Sequence, residues 1–163
     1  MSQSLFQAHE VVFSPKFGLA KVLGEESVQG HDEKYYILES LDTHSKIMVP
    51  VSKAQKSIRH LLEKEELQDV LKRFETEYKL LEFESKKDRI RHFQKMQKSV
   101  NLEDSLSALY TLQNIEDLGK VEQQILENIQ KNLRVEIDYI LDDAEDALWN
   151  KVSTTIGISQ QAA

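Results

Sequence analysis

"EVVFSPKFGLAKVLGEESVQG", residues 10–30, decides the fold of the first third of this chain. Glu10-Val11-Val12-Phe13 is a short β-branched and aromatic run, and Ser14-Pro15-Lys16 closes it as a turn. Gly18 follows, then a second strand-like run with apolar residues at 20, 22 and 28, punctuated by Gly24 and Gly30. One of the chain's two prolines and three of its five glycines fall in this stretch, so turn chemistry is concentrated here. The pattern predicts two strands joined by a proline-marked turn.

The same chemistry continues outward to residue 62. Lys34 to Leu41 contains Tyr35-Tyr36-Ile37-Leu38 between polar turns, and Lys46-Ile47-Met48-Val49 runs into Pro50. Proline ends that strand because it has no N–H to give to a ladder. Four short strands in about fifty residues predict a small antiparallel barrel or a strongly bent sheet.

From Glu63 the apolar period changes. Leu62, Leu67, Val70, Leu71, Phe74, Tyr78 and Leu81 recur at helical spacing and predict one helix with one apolar stripe. Ser85 is read as the cap of a second helix with Ile90, Phe93 and Met96 inward. Asn101, with Asp104 three residues on, is read as the cap of a third, with Leu102, Leu106, Leu109 and Tyr110 inward. Asn114 is read as the cap of a long fourth helix. Its stripe is Leu118, Val121, Ile125, Ile129, Leu133, Ile137, Ile140, Leu141, Ala144 and Leu148. Gly119 weakens the start of that helix without ending it. The expected organisation is a β-domain over 1–62, an all-α domain of about four helices over 63–152, and a flexible tail over 153–163. The fold class is α+β.

Charge limits the partners. The chain carries −7 overall, unevenly spread. Residues 1–62 hold seven basic and seven acidic groups, residues 63–98 ten and nine, and residues 99–163 four and twelve. A nucleic-acid contact must therefore be local, and the last segment is the least suited to it. No cysteine is present, which removes disulfides, thiolate nucleophiles and zinc–sulfur sites. The first ten residues, MSQSLFQAHE, lack the basic and apolar regions of a secretory signal, and no run is long and apolar enough to span a membrane. A cytoplasmic setting is expected.

The sharpest charge feature is "SKKDRIRHFQKMQK", residues 85–98. Lys86, Lys87, Arg89, Arg91, Lys95 and Lys98 stand against Asp88 alone, and Lys87, Arg91, Lys95 and Lys98 share a helix face able to track phosphates. Six phosphate contacts give a slope of roughly −5 for log affinity against log salt. The competing structural reading is a solvated face paired with the acidic fourth helix. Trp149, the only tryptophan, follows Asp142, Asp143, Glu145 and Asp146, and is read as packing the end of the last helix. That acidic cluster lacks the glycine-turned loop of an EF-hand and is read as solvent-facing. Histidines 9, 31, 44, 60 and 92 are scattered without ligand spacing, and no phosphate-binding loop, dinucleotide fingerprint or nucleophile elbow occurs. The chain reads as a binding protein, not an enzyme, with no metal, no cofactor and no small-molecule substrate.

Phe13, Pro15, Gly18, Gly30, Tyr35, Tyr36, Val49 and Pro50, in the order E-V-V-F-S-P-K-F-G-L-A-K-V, V-Q-G, E-K-Y-Y-I-L and I-M-V-P-V, resemble the N-terminal domain of CarD/CdnL-type bacterial transcription regulators. The same domain occurs in transcription-repair coupling factors. The resemblance implies a Tudor-like β-barrel that docks on the RNA polymerase β subunit through a sheet edge. It implies a helical domain that contacts promoter DNA near the opening bubble. Carried onto this chain, the docking residues are Glu26, Val28, Ile47 and Met48, and the DNA residues are Lys86, Lys87, Arg89, Arg91, Lys95 and Lys98. Glu26 and Met48 stand where the family often places arginines, and no tryptophan lies near Lys87-Asp88-Arg89. A regulator of promoter opening is the expected function. The alternative is an interaction module that docks on polymerase, or on another edge strand, without binding DNA.

Overall fold

The computed structural model describes residues 5–30, 32–76 and 79–141, and the chain divides between Leu61 and Leu62 into two compact units. Tyr78, His31, the acidic residues of 142–146, Trp149 and the tail lie outside the described residues.

In the first unit, β1 (Val11–Ser14) and β2 (Gly18–Ser27) form the hairpin expected from the quoted stretch, with Ser14 opposite Gly18. Pro15 presets the turn, and the Ser14 hydroxyl accepts from the Lys16 N–H at 3.2 Å. Gly18 takes φ +75°, a left-handed conformation that β-carbons resist, and so returns the chain into β2. β3 (Lys34–Ser40) and β4 (Lys46–Pro50) complete the meander, and the two-residue β5 (Arg59–His60) pairs back onto β1. The order is β4-β3-β2-β1-β5, all antiparallel.

The sheet is open, which corrects the expected barrel. Among the described residues β4 pairs only with β3 and β5 only with β1. A two-residue β5 offers too few ladder groups to close the ring against β4. A bulge inserts Leu23 into β2 between the Val22–Leu38 and Gly24–Ile37 pairs, the usual way a long strand is bent.

One sheet face presents Val12, Ala20, Val22, Tyr36, Leu38 and Val49, and it packs with Ala54 of α1 (Ala54–Ser57) and with Ile58 just after it. Phe6, which the strand pattern did not single out, completes this core at 4% exposure. The N–H groups of Leu5 and Phe6 donate to the Tyr36 hydroxyl at 3.0 and 3.4 Å, and the Phe6 ring stands edge-on to Tyr36 at 5.6 Å. The Glu10 carboxylate accepts from the Gln7 N–H at 3.0 Å and meets the His60 ring at Nδ1.

The second unit is built from α2 (Lys64–Thr76), α3 (Lys86–Lys98), α4 (Leu102–Gln113) and α5 (Lys120–Leu141). Ser85 caps α3, accepting from the Asp88 N–H at 3.1 Å. Asn101 caps α4, but through the Glu103 N–H at 2.8 Å, while Asp104 is taken by the Ser99 hydroxyl at 2.6 Å. Leu67, Val70, Phe74, Phe93, Leu106, Leu109, Leu112, Ile125, Ile129, Leu133 and Ile137 form one core.

Three local expectations change. Asn114 ends α4 instead of opening α5. α5 starts after Gly119, whose N–H donates to Glu122 at 3.4 Å, so a third-position glutamate reaches back to the helix start as in a capping box. Leu81 lies in the non-helical segment ahead of α3, outside the α2 stripe, and is exposed. At the start of α5, Val121 is exposed and Glu122 is buried in its stead. A stripe counted from apolar residues alone cannot anticipate a buried carboxylate with a cationic partner.

Candidate functional site

Two surfaces carry the residues singled out from sequence, one on each unit. On the first, β4 is an edge strand. Its outer backbone groups are open to an added strand among the described residues, the arrangement that β-augmentation uses. Neighbouring residues on a strand point to opposite faces. Ile47 packs against the core cluster, so Met48 projects from the other face and is 46% exposed. Met48 is in register with Ile37 and Gly24, and the next row of that face is Pro50, Tyr35 and Glu26. The structure thus brings Met48 and Glu26 to one face. It places Ile47 on the opposite one and Val28, half-buried, just past the end of β2. Leu23, exposed at the bulge beside Gly24, was missed from sequence. The signal was present, because a glycine inside a strand pattern marks a bulge.

On the second unit, α3 contains all six cations read from the run, and the fold divides them. Lys87, Arg91, Lys95 and Lys98 are exposed and make no ion pair among the described residues. Their spacing of four, four and three residues aligns them on one face over about 16 Å of helix. Lys86 is drawn to Asp117 at 3.5 Å, an exposed pair. Arg89 lies two residues from both Lys87 and Arg91, on the other side of the helix. Its guanidinium donates from Nε and Nη2 to the two Glu122 oxygens at 2.5 and 2.7 Å. Glu122 is 1% exposed and the Arg89 side chain 14%. The hydrogen bond to Glu122 holds the guanidinium above the usual arginine range; burial works against it, and the charges of Glu122 and Asp117 add to it. Arg89 is therefore not part of the exposed row. The pairing with the acidic last helix that competed with the phosphate reading holds for this one cation.

Phe93 anchors the inner face of α3, and Phe83 from the α2–α3 connection meets Phe93 edge-on (5.5 Å) and His92 at a tilt (5.2 Å). No group of three or more His, Asp or Glu side chains among the described residues is placed to hold a metal ion. None of the described helices is long and apolar enough to cross a membrane.

An open antiparallel sheet with an accessible edge strand defines the first unit as an edge-presenting β-module. Its sequence places it more closely: residues 6–62 match the family of the CarD-like/TRCF RID domain, and this segment is a CarD-like RNA-polymerase-interacting domain. The resemblance read from Phe13 through Pro50 is borne out over that span. No curated protein matches the chain.

Proposed function

We propose that this chain is a transcription regulator whose first unit docks on the β subunit of RNA polymerase and whose α3 lies along the backbone of promoter DNA. The observation that carries the reading is the conjunction of the polymerase-interacting domain with an unpaired edge at β4. In this reading a strand of the β subunit adds to β4, with Met48 as the apolar contact and Glu26 beside it. There is no chemical step. A factor that binds the open promoter more tightly than the closed one stabilises it by the difference in affinity. The full chain titrated with a purified polymerase β lobe is expected to bind saturably. Met48→Asp, at an exposed position, is expected to weaken binding by about tenfold or more without loss of fold. Undiminished binding by that variant would move the docking surface off this face.

The DNA part has its own signature. Four phosphate contacts, not six, give a log–log salt slope of about −3.6 on duplex DNA, a fall of roughly 10²-fold in affinity between 50 and 200 mM salt. Replacing Lys87, Arg91 and Lys95 by alanine leaves one cation on the row and a slope of about −0.9. The alternative, docking on polymerase or another edge strand without DNA, is favoured by the net −8 of residues 99–163 and by the withdrawal of Arg89. A shallow slope for the unmodified chain, equal to that of the triple variant, would select it.

A further inference from the structure

We propose that Glu122, acting through Arg89, is the positioning residue that sets the rotation of α3 and thereby aims Lys87, Arg91, Lys95 and Lys98 at a nucleic-acid backbone as one row; the inference rests on the phosphate-contact reading above. α3 is weakly anchored by apolar packing. Of its thirteen residues only Phe93 is fully buried, with Ile90 and Met96 half-buried, whereas α4 buries five. So thin a stripe fixes the depth of a helix better than its rotation. The Arg89–Glu122 pair supplies the missing constraint, because two parallel N–H···O bonds hold a planar group in direction as well as distance.

The anchor itself is held. Glu122 sits in the first turn of α5, and its Oε1 also accepts from the Gly119 N–H. Arg89 lies about 200° around the helix from Lys87 and from Arg91. With Arg89 turned inward, the four cations of the row face outward together. Lys86, tied to Asp117, flanks the same corner. Glu122 thus touches no phosphate and acts by orientation alone.

The test separates orientation from charge. Arg89→Met with Glu122→Leu removes one positive and one negative group, so net charge and the exposed row are unchanged. Circular dichroism and thermal melting first establish that this double variant is folded. Its duplex affinity at 50 mM salt is then expected to fall about fivefold or more, with the salt slope shallower by about 0.9 for each phosphate the row no longer reaches. Should the apolar pair fail to fold, Arg89→Gln with Glu122→Gln takes its place, since it also leaves net charge unchanged and removes the charged, two-bond fork. A folded variant with undiminished affinity and slope overturns the inference. Should the unmodified chain bind duplex no more steeply than the Lys87, Arg91, Lys95 triple variant, the phosphate reading itself falls, and the inference with it.

Discussion

Arg89→Ala is expected to destabilise the helical unit by about 3–5 kcal/mol, the cost of leaving a buried carboxylate without its cation. Glu122 is 1% exposed and cannot turn to water. Glu122→Ala is expected to cost less, because Arg89 retains some exposure and its long side chain can carry the charged head to solvent. Urea unfolding followed by hydrogen exchange at Leu109 and Ile129 reads the difference. Equal losses in the two variants would mean that the pair is less buried than its geometry implies. Replacing both residues by apolar ones of similar size is expected to be close to neutral, as buried ion pairs often are when exchanged whole. Because the folded-state shift of Arg89 is upward, its stabilisation is fully present below the ordinary arginine range and is lost only as pH rises through the raised value. Arg89 titration therefore adds no pH dependence between about pH 5 and 9.

Phe6→Ala is expected to destabilise the β unit by about 3 kcal/mol, the scale of emptying a buried phenylalanine site. Phe6 fills the space between the Tyr36 and His60 rings, at 5.6 and 4.7 Å, and its loss opens a cavity at the end of the sheet. It also loosens residues 5–10, whose Leu5 and Phe6 N–H groups are satisfied by the Tyr36 hydroxyl. Tyr36→Phe, which removes that acceptor and keeps the ring, isolates the polar share at about 1–2 kcal/mol. Hydrogen exchange at Val12 and Leu38 follows both variants. Unchanged protection in Phe6→Ala would remove residues 5–10 from the core of the domain.

Helix and strand identity were largely legible in the residues, because period and turn chemistry are local. Ser85 and Asn101 were readable as caps, and Pro15 with Gly18 as a turn, since each acts on backbone groups within three residues. Asn114 misled for the same reason. A cap-forming side chain is equally at home ending a helix, and here its amide donates back to the Tyr110 carbonyl at 2.7 Å. Phe6 escaped notice because its partners, Tyr36 and His60, lie thirty or more residues away.

The candidate sites show the same division. Six cations on one helix are a property of the sequence, as are the spacing that aligns four of them and the pattern that marks the polymerase-interacting domain. Which cations face water depends on where α5 presents a carboxylate, and Glu122 is separated from Arg89 by thirty-three residues. Likewise the β4 run was visible as a strand, but its place at the sheet edge, and the opposite facing of Ile47 and Met48, follow from pairing with β3. Composition and period thus determine the elements and their local ends. Exposure, edge position and charge pairing are decided by tertiary structure, because each depends on a partner that the chain brings close only by folding.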